Sequence, residues 1–130
     1  MHYATAERRA HLKHGLTHDP FKALVVPRPI GWITTVGPDG VVNLAPYSFF
    51  NAVSDVPPMV MFASSGRKDS LRNIEATGEF TCSIASQDLV DAMNLSSAAV
   101  PPDVSEYALA GLATAPSLVV MPPRVAASPA

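Results

Sequence analysis

Residues 30–45 read I-G-W-I-T-T-V-G-P-D-G-V-V-N-L-A. Ile30–Val36 is rich in β-branched and aromatic side chains, which suit a pleated strand. Gly37-Pro38-Asp39-Gly40 then forms a turn, because proline presets its own φ and Gly40 is free to take a positive φ. Val41–Ala45 returns. The stretch predicts a β-hairpin.

Working outward, the same grammar recurs. Pro27 and Pro29 flank Arg28 and push it towards extended backbone. Pro46–Asn51 and Ala52–Asp55 predict a further strand, and Val56-Pro57-Pro58 turns the chain. Met59–Ala63 is a continuous apolar run of strand length, expected to be buried on both faces. Asp69–Thr77 predicts a helix, with Asp69 as N-cap, Leu71 and Ile74 as its apolar stripe and Gly78 as its stop. Glu79–Ala85 alternates as a strand, Ser86 opens a short helix over Gln87–Met93, and Leu118–Met121 is expected to be a short strand. Residues 94–117 are a long Ser-, Ala- and Pro-rich excursion. Thirteen prolines in 130 residues punctuate short apolar runs rather than forming one tract. The fold class expected is therefore all-β: β-dominated with short helices. Domains are expected as an arm over residues 1–20, with one helical turn or two around Ala6–Leu12, and one domain over 21–130. Strands in this number are expected to close a barrel or pack two sheets, and those counted here leave an edge uncovered, so either a second chain supplies that edge or residues are missing.

The composition narrows the function. Net charge is -2, which gives no electrostatic footprint for nucleic acid. No apolar stretch approaches the roughly 20 residues of a membrane span. Residues 1–15 carry charge but no apolar core region, unlike a signal peptide, and one cysteine excludes an intrachain disulfide; a cytoplasmic setting is expected. His11, His14 and His18 could share a helix face and hold a metal, but Gly15 interrupts that helix, and an exposed arm is the simpler reading. With no histidine beyond residue 18, a histidine triad would have to recruit the arm, and Cys82 reads as a small core residue. No G-x-G-x-x-G follows a strand, so a Rossmann dinucleotide site is not indicated. This shortage of acid–base machinery fits a reaction whose chemistry a cofactor carries.

Three segments carry candidate chemistry. Ser64-Ser65-Gly66-Arg67-Lys68-Asp69-Ser70 places two cations and three hydroxyls where a strand gives way to a helix. A phosphate suits that helix start, with Arg67 as a bidentate donor and Lys68 as a point charge; the plainer alternative is a polar loop that caps a helix. Asn43-Leu44-Ala45-Pro46-Tyr47-Ser48-Phe49-Phe50-Asn51 mixes amide, hydroxyl and aromatic groups around a proline that cannot donate a ladder bond. Such an edge can meet a planar heterocycle, or its phenylalanines can simply fill the core. Trp32, like most lone tryptophans, belongs in the core unless it lines a ligand, and Thr34 and Thr35 lie on opposite faces of their strand.

P-R-P-I-G-W-I-T-T at 27–35, N-L-A-P-Y-S-F-F-N at 43–51 and S-G-R-K-D-S at 65–70, with H-D-P-F at 18–21 and E-Y-A-L-A-G-L at 106–112, together resemble the flavin reductase-like, FMN-binding split-barrel family. The resemblance implies a homodimer with FMN near the subunit interface. It implies that Thr34 or Thr35 and the run Asn43, Leu44, Ala45, Pro46, Tyr47 and Ser48 surround the isoalloxazine and ribityl chain. It implies that Ser65, Arg67, Lys68 and Ser70 hold the phosphate. NAD(P)H would be the hydride donor, and an oxygenase a recipient of reduced flavin; a non-catalytic FMN-binding or electron-carrier module is the alternative. Family members continue for several strands beyond the segment matching Pro122–Ala130, so the resemblance also implies a barrel incomplete at the C-terminus.

Overall fold

The computed structural model describes residues 6, 7 and 9–130. Its centre is the hairpin read from the sequence. Strand β1 (Gly31–Val36) pairs antiparallel with β2 (Val42–Tyr47), in a register running from Gly31 opposite Tyr47 to Val36 opposite Val42. The turn closes as its composition requires: Gly40 has φ 83°, the Gly37 amide donates to Val41 O at 2.9 Å, and the Asp39 carboxylate accepts from the Val41 amide at 3.1 Å. Proline 46 sits inside β2 opposite Trp32 rather than opening a new strand. β3 (Phe50–Asp55) and β4 (Pro58–Phe62) form a separate ribbon.

β5 (Thr81–Ile84) pairs with the other side of β1, so the sheet order is β2-β1-β5 and β1 is buried throughout. The two faces of this sheet divide the packing. Trp32 and Leu44, both fully buried, form a core with Tyr107 and Val125 on one face. The other face receives helix α2 (Asp69–Thr77), whose Asn73 side chain donates to Thr35 Oγ1 at 3.0 Å. Gly78 ends α2 in the left-handed region with φ 75°, as expected. Lys68, not Asp69, occupies the N-cap position; Asp69 is the first helical residue, and its carboxylate instead pairs with Arg72.

Several expectations are corrected. β4 is not buried on both faces: it has one neighbour, β3, and Met59, Val60 and Met61 are 45–48% exposed. The apolar run was long enough for a central strand, but no other described strand flanks it. Leu118–Met121 is an exposed loop, not a strand, with Leu118 and Val119 almost wholly in solvent. The late pairing instead joins β6 (Thr114–Ala115) to β7 (Arg124–Val125). The excursion 94–117 is partly ordered by a single turn of helix, α4 (Glu106–Leu109). The helix expected over Gln87–Met93 is a 3-10 turn at Gln87–Leu89 followed by α3 (Val90–Leu95). In the arm, a 3-10 turn spans Ala10–His14 and helix α1 covers Pro20–Leu24, while residues 1–5 and 8 lie outside the described residues. The described strands form three separate sheets and do not close a barrel.

Close packing under β1 gives one prediction. A Cβ on Gly31 would meet the Phe50 ring at 2.5 Å. Gly31→Ala should therefore push the ring aside and cost about 1–3 kcal/mol, the usual penalty of overpacking. Urea denaturation measures this, and an unchanged midpoint would show that the ring swings away freely.

Candidate functional site

The outer edge of β2 and the start of α2 enclose a cleft of about 290 Å3. From β2 come Asn43, Ala45, Pro46 and Tyr47; from the helix start come Arg67, Lys68 and Ser70. The alternation of a strand explains the first group, since Asn43, Ala45 and Tyr47 share the face that α2 covers. Asn43 Nδ2 donates to Ser70 Oγ at 2.9 Å, fixing helix to strand. The Lys68 ammonium lies 5.8 Å from the centre of the Tyr47 ring. Arg67 reaches Glu75 at 2.6 Å on the solvent side, a pair worth little because both side chains are well exposed.

Not every expected residue reaches this cleft. Thr34 and Thr35 are fully buried on opposite faces of β1: Thr34 shares a 2.7 Å hydrogen bond with the Tyr107 hydroxyl, and Thr35 accepts from Asn73. Leu44 points into the core, while Ser48 and Ser65 lie outside the cleft lining. Conversely, Asp69, Arg72, Glu106 and residues 96–100 line it although their local sequence gives no chemical signal for a ligand.

Glu106 belongs to a three-residue clasp. Ser105 Oγ donates to Val42 O at 2.5 Å, Glu106 Oε2 accepts from the Leu44 amide at 2.9 Å, and Tyr107 bonds Thr34. The Ser105 and Glu106 side chains occupy the edge of β2 that faces away from β1, where unpaired backbone groups would otherwise invite another strand, while Tyr107 packs on the face of the sheet. Pro46 has no N–H to offer there. Leu44 and Pro46 thus present no free amide donor of their own on that edge.

Burial pushes the Glu106 carboxyl above its usual range, with the nearby Asp69 charge adding to the rise and the Leu44 amide opposing it. Burial also raises the Tyr107 hydroxyl, against the Thr34 hydrogen bond, and raises the Cys82 thiol. For Glu106 the folded chain binds the proton more tightly than the unfolded chain does. Its contribution to stability is therefore full below the usual value of 4.5 and is lost as pH rises through the raised value. Relative to Glu106→Gln, the wild type should lose melting temperature over that window; a constant difference between the two would contradict the burial argument.

The Tyr47 hydroxyl is buried and has no hydrogen-bond partner. Tyr47 is 5% exposed, and it lines the cleft while its hydroxyl stays buried. Among the described residues, no group of three metal-ligating side chains comes together, and no helix is long and apolar enough to cross a membrane.

The flavin reductase like domain model matches residues 23–130. The chain belongs to the flavin reductase-like family. The flavin reductase-like domain is 42% identical over 107 residues to an uncharacterized protein of Aquifex aeolicus, covering 78% of this chain and 55% of the relative. Nitrilotriacetate monooxygenase component B from Bacillus cereus superposes with a TM-score of 0.82 at 32% identity, over 98% of this chain and 63% of that one. A split barrel domain protein of Shewanella frigidimarina superposes with a TM-score of 0.80 at 22% identity, over 98% of this chain and 64% of that one, a likeness of fold. The domain spans about half the length of the curated relatives it matches.

Proposed function

We propose that this flavin reductase-like domain binds FMN in the cleft between β2 and α2 and serves hydride transfer from NAD(P)H to flavin. One observation carries the reading. The cations and hydroxyl at the start of α2 face the same cleft as the polar, aromatic edge of β2. Arg67, Lys68 and Ser70 are the phosphate ligands in this account, with Ser65 adjoining them. Asn43 to Ser48 border the ring and ribityl chain. Thr34 and Thr35 act from behind, holding β1 to Tyr107 and Asn73.

Bound flavin supplies the two-electron chemistry. The chain's own residues supply position: charge at one end of the cleft, apolar and aromatic surface along it, and backbone carbonyls at the β2 edge. A homodimer fits the same picture, because the apolar side chains of the β3–β4 ribbon, Val53, Met59, Val60 and Met61, stand 45–56% exposed. Reduced flavin would pass to an oxygenase, a role suggested by the resemblance to a monooxygenase component. Two measurements test the proposal together: the absorbance spectrum of purified protein mixed with FMN, and the oxidation of NADH or NADPH in its presence. Binding with turnover supports it. Binding without nucleotide oxidation would leave a flavin-carrying module, and no binding would overturn the assignment of the cleft.

A further inference from the structure

Glu106 is an acid in a cleft otherwise suited to an anion. It is 5% exposed, lines the cleft and is held by the Leu44 amide at 2.9 Å. The charged groups that share this cleft are Arg67, Lys68, Asp69 and Arg72 at the start of α2, and of these Asp69 acts on the Glu106 carboxyl. Two of the cations are already engaged, Arg72 with Asp69 and Arg67 with Glu75. The charge balance inside the cleft is therefore less positive than its three cations suggest. Any anion bound in this cleft shares its lining with the buried carboxylate, and charges closer than a Debye length, about 8 Å at physiological salt, are little screened. Burial also shields that interaction from solvent.

We propose that Glu106 is a specificity-determining charge that weakens the hold of this cleft on anionic flavin, so that the cofactor exchanges rather than stays bound. The inference rests on the flavin reading given above. An acceptor is needed at this position to close the β2 edge, but a neutral amide oxygen would serve the Leu44 N–H as well. The carboxylate brings the desolvation cost of a buried charge, and its raised pKa reports that cost. Removing the charge while keeping the acceptor separates the two roles.

The experiment compares wild type with Glu106→Gln, titrating each with FMN and with riboflavin from pH 8 down to below the usual glutamate value of 4.5. At pH 8 the variant should bind FMN about three- to tenfold more tightly, the scale of one unit charge acting across several ångströms at intermediate dielectric. The ratio of the two FMN affinities should fall towards one as pH drops and Glu106 takes up its proton. Taking the ratio reduces the effect of the phosphate's own titration, with its second pKa near about 6. Riboflavin affinity should hardly change. Equal FMN affinities at every pH, or an equal gain for riboflavin, would overturn the inference while leaving the flavin site intact. If neither protein binds FMN, the flavin reading and this inference fall together. A second measurement needs no variant. By reciprocity of linkage, FMN should raise the Glu106 pKa, read by carbon-13 NMR of the carboxyl, whereas riboflavin should not. No rise with bound FMN would overturn the inference even if the Gln variant did not fold.

Discussion

Trp32→Ala should lower unfolding stability by about 3–5 kcal/mol, the usual cost of emptying a large aromatic site. That is a large share of the roughly 5–15 kcal/mol available to a domain. Trp32 is fully buried between Leu44, Tyr107 and Val125, and its indole N–H donates to Ser96 Oγ at 2.9 Å. Ser96 Oγ in turn donates to Met93 O at 2.8 Å, so the indole ties α3 to the sheet. Trp32→Phe separates the two contributions. It keeps most of the ring and loses the hydrogen bond, for a cost of about 0.5–1.5 kcal/mol plus some packing. Urea unfolding measures both. A Trp32→Ala protein with a wild-type midpoint would mean that this core does not carry the fold.

The second large effect concerns the cleft. Arg67→Ala should weaken FMN binding about ten- to a hundredfold, because charge-assisted hydrogen bonds contribute about 1.5–3 kcal/mol. The lower end is the better expectation, since Arg67 must first leave Glu75 and its guanidinium is well exposed. Riboflavin, which lacks the phosphate, should be little affected. An equal loss for both ligands would place the phosphate elsewhere.

Local chemistry made much of this molecule legible. Gly37-Pro38-Asp39-Gly40 can only turn, and the turn sets the register that places Asn43, Ala45 and Tyr47 on one face. Lys68 to Gly78 was equally readable, because its glycine stop is a local signal, although the cap shifted by one residue. The period of two also separates Thr34 from Thr35, and each is bonded on its own side of β1.

What escaped reading depends on distant partners. Met59–Ala63 has the composition of a buried strand, and only the absence of a second described neighbour leaves β4 exposed. β6 and β7 have two residues each, too few for any periodicity, and they exist through their pairing across the loop that contains Leu118. Glu106 escaped for the same reason. Its role comes from Leu44, 62 residues earlier, and nothing beside it in sequence marks it as the clasp on a sheet edge. The segment 106–112 carries a family resemblance but no local chemical reason for its acid.

The central claim is that flavin phosphate sits at the start of α2 while the ring lies along the edge of β2. Backbone amide spectra of nitrogen-15-labelled protein, recorded during an FMN titration, test it most directly. The account predicts saturable shifts concentrated at residues 65–70 and 43–48, with riboflavin reproducing the second group and not the first. Saturable shifts that leave both segments untouched would contradict it.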